Sequence, residues 1–151
     1  MIKIICLGKL KEKYLKEAIE EYQKRLTKYT KLEIIELKDE QDDNPKKALQ
    51  KEKELIKKHI KDTDNIVLLD IKGKQYTSEE LSSFINKELT YNNNITFIIG
   101  SSNGLDEEIK KLTNKKISFS TLTFPHQLFR VLLLEQIYRS FKILNNESYH
   151  K

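Results

Sequence analysis

Between Phe119 and Ile143 the chain reads FSTLTFPHQLFRVLLLEQIYRSFKI, and this run carries many of the side chains able to do chemistry. His126 and Arg130 stand four residues apart, as do Glu135 and Arg139, so each pair shares a helical face. An imidazole can take or give a proton near neutrality. A guanidinium offers a planar fork that grips carboxylates and phosphates. Only Arg25, Arg130 and Arg139 among the 28 basic residues are arginines, so two of the three guanidiniums fall in this run. The closing residues Tyr149-His150-Lys151 add a phenol, an imidazole and an ammonium. A second group is the turn IIGSSNGL, in which Gly100 and Gly104 permit close backbone approach to a ligand.

Several chemistries are excluded by spacing. The turn lacks the G-x-G-x-x-G of a dinucleotide fingerprint, and no Gly-Lys-Ser/Thr follows it as in a P-loop, since Lys110 and Lys111 lie too far along. No G-x-S-x-G elbow or cysteine–histidine nucleophile signature is present. His59, His126 and His150 are far apart and Cys6 is alone, which gives no metal-ligand spacing. What remains is a ligand held by backbone amides and carbonyls without a pyrophosphate. S-adenosylmethionine is one such molecule.

These residues need a scaffold, and the hydrophobic pattern supplies strand alternating with helix. Strands are predicted at 2–7 (IKIICL), 32–37 (LEIIEL), 65–71 (NIVLLDI), 95–99 (ITFII) and 116–120 (KISFS). Helices are predicted at 12–29, with Leu15, Ala18, Ile19, Tyr22, Leu26 and Tyr29 in a stripe, and at 46–61, with a thin apolar face of Leu49, Ile56 and Ile60. A third opens at the capping box Thr77–Glu80 and buries Leu81, Phe84, Ile85 and Leu89. A short one covers 106–112, and a long one about 126–144 with Pro125 in its first turn. The alternating charges of 46–61 read as a solvated face, and DEQDDNP at 39–45 as the most mobile loop. The reading is one α/β domain over residues 1–151 with a mainly parallel sheet flanked by helices. All four glycines follow predicted strands, at the rim where open α/β sheets collect ligands. The last helix is apolar nearly all round, so it is either central to the chain or packed on a partner subunit; a dimer is the favoured reading.

Composition agrees but decides little. The chain has 151 residues, 38% apolar and 34% charged, with a formal net charge of +5, which favours anionic partners through long-range attraction but is a weak signal by itself. No apolar run approaches the roughly 20 residues that span a bilayer, and the start reads as a first strand rather than a signal peptide. The lone cysteine, read as a small buried hydrophobe, suits a reducing compartment and hence a cytoplasmic location.

The run IIGSSNGL, the FSTLTFPHQLFRVLLLEQIYRSFKI segment, the terminal YHK, the opening GKLKEKYLKEAIEEYQKRL and the segment LLDIKGKQYTSEEL together resemble the ribosomal RNA large subunit methyltransferase H family, from end to end. The resemblance implies a SPOUT fold with a C-terminal trefoil knot over about 95–151, a homodimer, and S-adenosylmethionine as cofactor. It implies methyl transfer to N3 of a pseudouridine in helix 69 of 23S rRNA, in the assembled ribosome and without a metal or membrane. The donor pocket would comprise Leu69, Gly100, Phe119, Ser120, Thr121, Leu122, Thr123 and Phe124. Many members read Gly-Gly where this chain has Gly100-Ser101, so the serine side chain could crowd a ligand there. Tyr149 with His150, or His126, would accept the N3 proton, with the tail pair placed first. Arg130 and Arg139 would contact RNA phosphate or organise the partner's site. Plainer readings stand beside these: His126 as a helix-start residue that caps or packs, the tail as a frayed terminus, and Arg139 as the ion-pair partner of Glu135. Two other functions compete: a flavodoxin-like domain with a phosphorylated cofactor, and a non-catalytic RNA-binding or ribosome-associated factor.

Overall fold

Apolar side chains alternate along the first strand, and the fold uses both sides of that alternation. In the computed structural model, which describes residues 1–151, Ile2, Ile4 and Cys6 of β1 (Ile2–Leu7) join one apolar cluster, while Ile5 and Leu7 join another. The strands β2 (Leu32–Leu37), β3 (Ile66–Gln75), β4 (Ile95–Ile99) and β5 (Lys116–Ser118) complete a five-stranded sheet in the order β2-β1-β4-β3-β5. Every pairing is parallel. Parallel sheets carry their crossovers on both faces, which is why all five residues of β4 are buried.

The larger cluster forms beneath α1 (Lys13–Leu26), α3 (Ser78–Asn92) and α5 (His126–Leu144). The smaller forms beneath α2 (Pro45–Lys57) and α4 (Glu107–Lys110). Helix α5 packs against both α1 and α3, so Leu133, Leu134, Ile137, Tyr138 and Phe141 are buried within the chain itself. Of the two readings of its apolar surface, the central one accounts for these five residues without a partner.

Element types agree with the sequence, and the differences have local causes. The capping box of α3 is present in full, Thr77 Oγ1 accepting from Glu80 N at 3.1 Å and Glu80 Oε2 accepting from Thr77 N at 2.8 Å. Pro125 is the residue before α5 rather than part of its first turn; its carbonyl accepts from Phe129 N at 2.9 Å. Helix α2 buries Ala48, Glu52 and Ile56 rather than Leu49 and Ile60, because it ends at Lys57 and turns Glu52 inward. The 39–45 loop is anchored, with the Glu40 amide on Glu52 and Asn44 capping α2 through Lys46 N.

Gly73 does not follow a strand but lies inside β3. The register there slips: Ile117 of β5 faces both Leu69 and Lys74, and the intervening residues bulge away. A Cβ on Gly73 would stand 2.6 Å from the Lys116 carbonyl carbon, well inside non-bonded contact distance.

Candidate active site

The bulge in β3 and the segments after β4 and β5 border an open cavity of about 340 Å³. It is lined by apolar Leu69, Ile99, Leu105, Ile117 and Phe129, by Gly100, Ser101, Ser102 and Gly104 of the turn after β4, and by Ser118, Phe119 and Ser120 at the end of β5. That volume suits a small organic molecule. The turn after β4 holds its shape by its own bonds: Gly104 N donates to Ser101 O at 2.9 Å, and a Cβ at Gly100 would run into the Gly104 carbonyl. Gly104 has φ of +83°, the left-handed region that glycine enters without strain.

The charges around the cavity suit a zwitterion with a positive centre. Asp70 supplies a carboxylate, and Lys72 and Lys110 supply ammonium groups. A phosphate fits less well, because α4 opens with Glu107 and Glu108, and Asp106 already caps the Glu108 amide at 2.9 Å. Anions bind helix N-termini whose amides are free and whose first turn is not acidic.

Seven of the eight residues expected around the donor line this cavity: Leu69, Gly100, Phe119, Ser120, Leu122, Thr123 and Phe124. Thr121 is exposed and is not among the lining residues. The side chain of Ser101 turns to Glu52, its Oγ donating to Glu52 Oε1 at 2.7 Å, so the hydroxyl is drawn away to the α2 side rather than left loose.

The four residues expected to be catalytic separate. His126 lines the cavity, and its Nε2 lies against Gly8, 3.2 Å from where a Cβ would be. Arg130, one turn on, is 1% exposed. It donates to Glu36 Oε2 at 2.6 Å and to the Gly8 carbonyl at 2.9 Å, and its Nε has no partner. That burial removes Arg130 from any RNA-facing surface of this chain and makes it the anchor of the β1–α1 turn.

Tyr149 and His150 are not among the residues lining the cavity. The tail is docked rather than frayed. Tyr149 Oη donates to Glu135 Oε1 at 3.0 Å, and its ring meets Tyr138 edge-on at 5.0 Å. Burial, and then that hydrogen bond, push the phenol well above its ordinary pKa, so it stays neutral at physiological pH. His150 Nδ1 lies 3.2 Å from Arg139 Nη1, and Nε2 lies 2.7 Å from Glu79 Oε1. Because a guanidinium only donates, Nδ1 is the acceptor and the neutral ring carries its proton on Nε2. Arg139 also grips Glu135, at 2.5 Å, and lies over the Tyr149 ring at 4.7 Å, so its ion-pair reading is the one seen within the chain. Burial raises the Cys6 thiol to about 11, which leaves it inert.

Sequence reasoning missed Glu52 and Asp70. Glu52 looked like one charge among many on α2, and Asp70 like the polar end of a strand. The available signal for Glu52 was its four-residue spacing from Ala48 and Ile56, with which it shares the buried face of α2.

Comparison with known proteins agrees with this geometry. A family model described as "Predicted SPOUT methyltransferase" matches residues 1–150. Proteins named ribosomal RNA large subunit methyltransferase H are similar along the whole length. That of Caldicellulosiruptor saccharolyticus is 51% identical over 154 residues, covering 100% of both chains. One from Clostridium botulinum is 55% identical over 159 residues, and one from Clostridium perfringens 56% over 157, each covering 99% of both chains. Among solved structures, a probable methylase family protein from Haemophilus influenzae superposes on 99% of this chain and 70% of its own, with a TM-score of 0.57 at 12% identity, a likeness of fold alone. With five parallel strands, helices on both faces and this full-length similarity, the chain belongs to the SPOUT methyltransferase family, and within it to the ribosomal RNA large subunit methyltransferase H family.

Proposed function

We propose that the chain methylates the RNA of the large ribosomal subunit, taking the methyl group from S-adenosylmethionine and placing it on N3 of a pseudouridine in helix 69 of 23S rRNA. The observation that carries this reading is the cavity itself, whose lining takes in seven of the eight donor-site residues that the family resemblance implies. Bound there, S-adenosylmethionine supplies a methyl group activated by a sulfonium.

The chain's own residues then have three tasks. Asp70 would offer a carboxylate to the positive side of the donor, and Lys72 and Lys110 would offer ammonium groups to its carboxylate. The aromatic rings of Phe119, Phe124 and Phe129 exclude water; Phe119 and Phe129 meet edge-on at 4.8 Å. The N3 proton of the base must leave as the new N–C bond forms and the donor's S–CH3 bond breaks, and His126 supplies the one imidazole in the lining that could take it. Positioning of the two reactants does most of the remaining work.

The site is completed in a homodimer. Leu122 and Ile71, 70% and 53% exposed, border the cavity and leave an apolar rim that a second copy covers. In this arrangement the docked tail of the second copy brings its Tyr149, His150 and Arg139 to the RNA side of the cavity. The knot over about 95–151 keeps 119–124 in place beside the β3 bulge. The substrate is the assembled ribosome, which places the protein in the cytoplasm, and no metal takes part. Calorimetric titration separates this from a flavodoxin-like reading: S-adenosylmethionine binds and flavin mononucleotide does not. The reverse outcome sinks the proposal. A non-catalytic ribosome-associated factor is ruled in only if ribosome binding survives while methylation is absent in the unaltered protein.

A further inference from the structure

We propose that Glu52 is a positioning residue of the donor cavity, holding the Gly100–Gly104 turn with one carboxylate oxygen and the acidic 39–45 loop with the other. Its Oε1 accepts from Ser101 Oγ at 2.7 Å and its Oε2 from the Glu40 amide at 3.0 Å. The inference rests on the reading of that cavity as the site of S-adenosylmethionine.

Three observations single out this side chain. Glu52 is 2% exposed and is the one charged residue of α2 that is buried, and it has no lysine or arginine partner. A buried carboxylate without a counterion is costly unless hydrogen bonds replace its hydration. Burial accordingly raises its pKa, with Ser101 and the Glu40 amide opposing the rise. An apolar side chain would pack beside Ala48 and Ile56 without that cost. What the carboxylate adds is a connection between two loops, because both of its hydrogen bonds leave α2.

Each loop it holds touches the site. Ser101 lines the cavity and pairs with Gly104 across the turn, so fixing Ser101 fixes both ends of the backbone wall. On the other side, Asp39 precedes the Glu40 amide, and its carboxyl carbon lies 3.7 Å from the point where a Gly8 Cβ would stand. The same point is 3.2 Å from His126 Nε2, and Arg130 holds the Gly8 carbonyl. Glu52 thus joins the wall that faces the donor to the loop beside the proposed proton acceptor. Filling the cavity fixes the acidic loop, and loosening that loop weakens binding in the cavity, as reciprocity of coupled sites requires.

The test uses the full-length protein, with S-adenosylmethionine titrated by calorimetry and hydrogen exchange of the Glu40 amide followed by NMR. In the unaltered protein the ligand binds and slows exchange at Glu40. Ser101→Ala and Glu52→Ala are expected to bind about tenfold more weakly and to lose the slowing at Glu40. Glu52→Gln keeps both to within about threefold, because its amide donates to Ser101 Oγ and its carbonyl accepts from Glu40 N. Ser101→Ala carries the test by itself if Glu52→Ala does not fold. Unaltered affinity in Ser101→Ala overturns the inference while leaving the donor cavity standing. So does weaker binding in which the ligand still slows exchange at Glu40, since a merely structural role predicts that. No binding by the unaltered protein overturns both readings.

Discussion

His126 shows how a residue's role depends on what its neighbours have already claimed. Tyr149 is committed to Glu135, and His150 to Arg139 and Glu79, whereas His126 lines the cavity with no hydrogen bond drawing it elsewhere. His126→Ala is therefore expected to lower the single-turnover methylation rate by about a hundredfold or more while the affinity for S-adenosylmethionine changes little. A rate within threefold of the unaltered enzyme would dismiss it as the proton acceptor. Arg130 tests the opposite case, a residue read as functional that the fold buries. Arg130→Met should destabilise the protein by about 3 kcal/mol in urea unfolding, because the Gly8 carbonyl loses its side-chain donor and Glu36 is left with the Leu10 amide alone. Adding Glu36→Gln should recover part of that loss, and an additive double mutant would contradict the pairing. The residue types of the site were legible in the sequence, and so was the donor turn. Which way each side chain faced was not, because four-residue spacing shows that His126 and Arg130 share a face and not whether that face meets a cavity or a core.

At the scale of elements, the two kinds of glycine give the clearest contrast. Gly73 lies where β3 slips its register against β5, under the backbone of Lys116 and Ile117, with no room for a methyl group. Gly104 has a positive φ but open space around it. Gly73→Ala should cost about 3 kcal/mol through overpacking, and Gly104→Ala about 1 kcal/mol through backbone strain alone; equal losses in thermal unfolding would refute the distinction. The docked tail makes a separate prediction about pH. Hydrogen bonding from Lys142, and then from Tyr29, holds the Glu147 carboxylate down to about 2, against 4.5 in the free chain. An acid whose pKa is depressed by folding stabilises the fold above its unfolded value and loses that contribution as the pH falls through its folded one. The stability gap between the unaltered protein and Glu147→Gln should thus shrink as pH falls from 4.5 to about 2; a gap independent of pH would count against the bond. Strands and helices were readable because period-two and helical spacing are strong signals. The bulge in β3 was not, since it depends on a pairing with β5 more than forty residues away.

Across the whole molecule, a parallel sheet delivers three chain segments to one rim, and the proposed function has a second copy complete the site. Sedimentation equilibrium should give twice the mass of the chain, and Leu122→Asp, in the apolar rim at 70% exposure, should shift the protein toward monomer with loss of methylation. An active monomer would overturn the dimeric site. Fold class was legible from the alternation of elements, whereas substrate came only from full-length similarity, because a net charge of +5 says no more than that the partner is anionic. Which base is methylated is read by mass spectrometry of 23S rRNA from cells with and without this protein. The helix 69 pseudouridine is expected to carry one additional methyl group only when the protein is present, and an unchanged methylation state at that nucleotide overturns the proposed function.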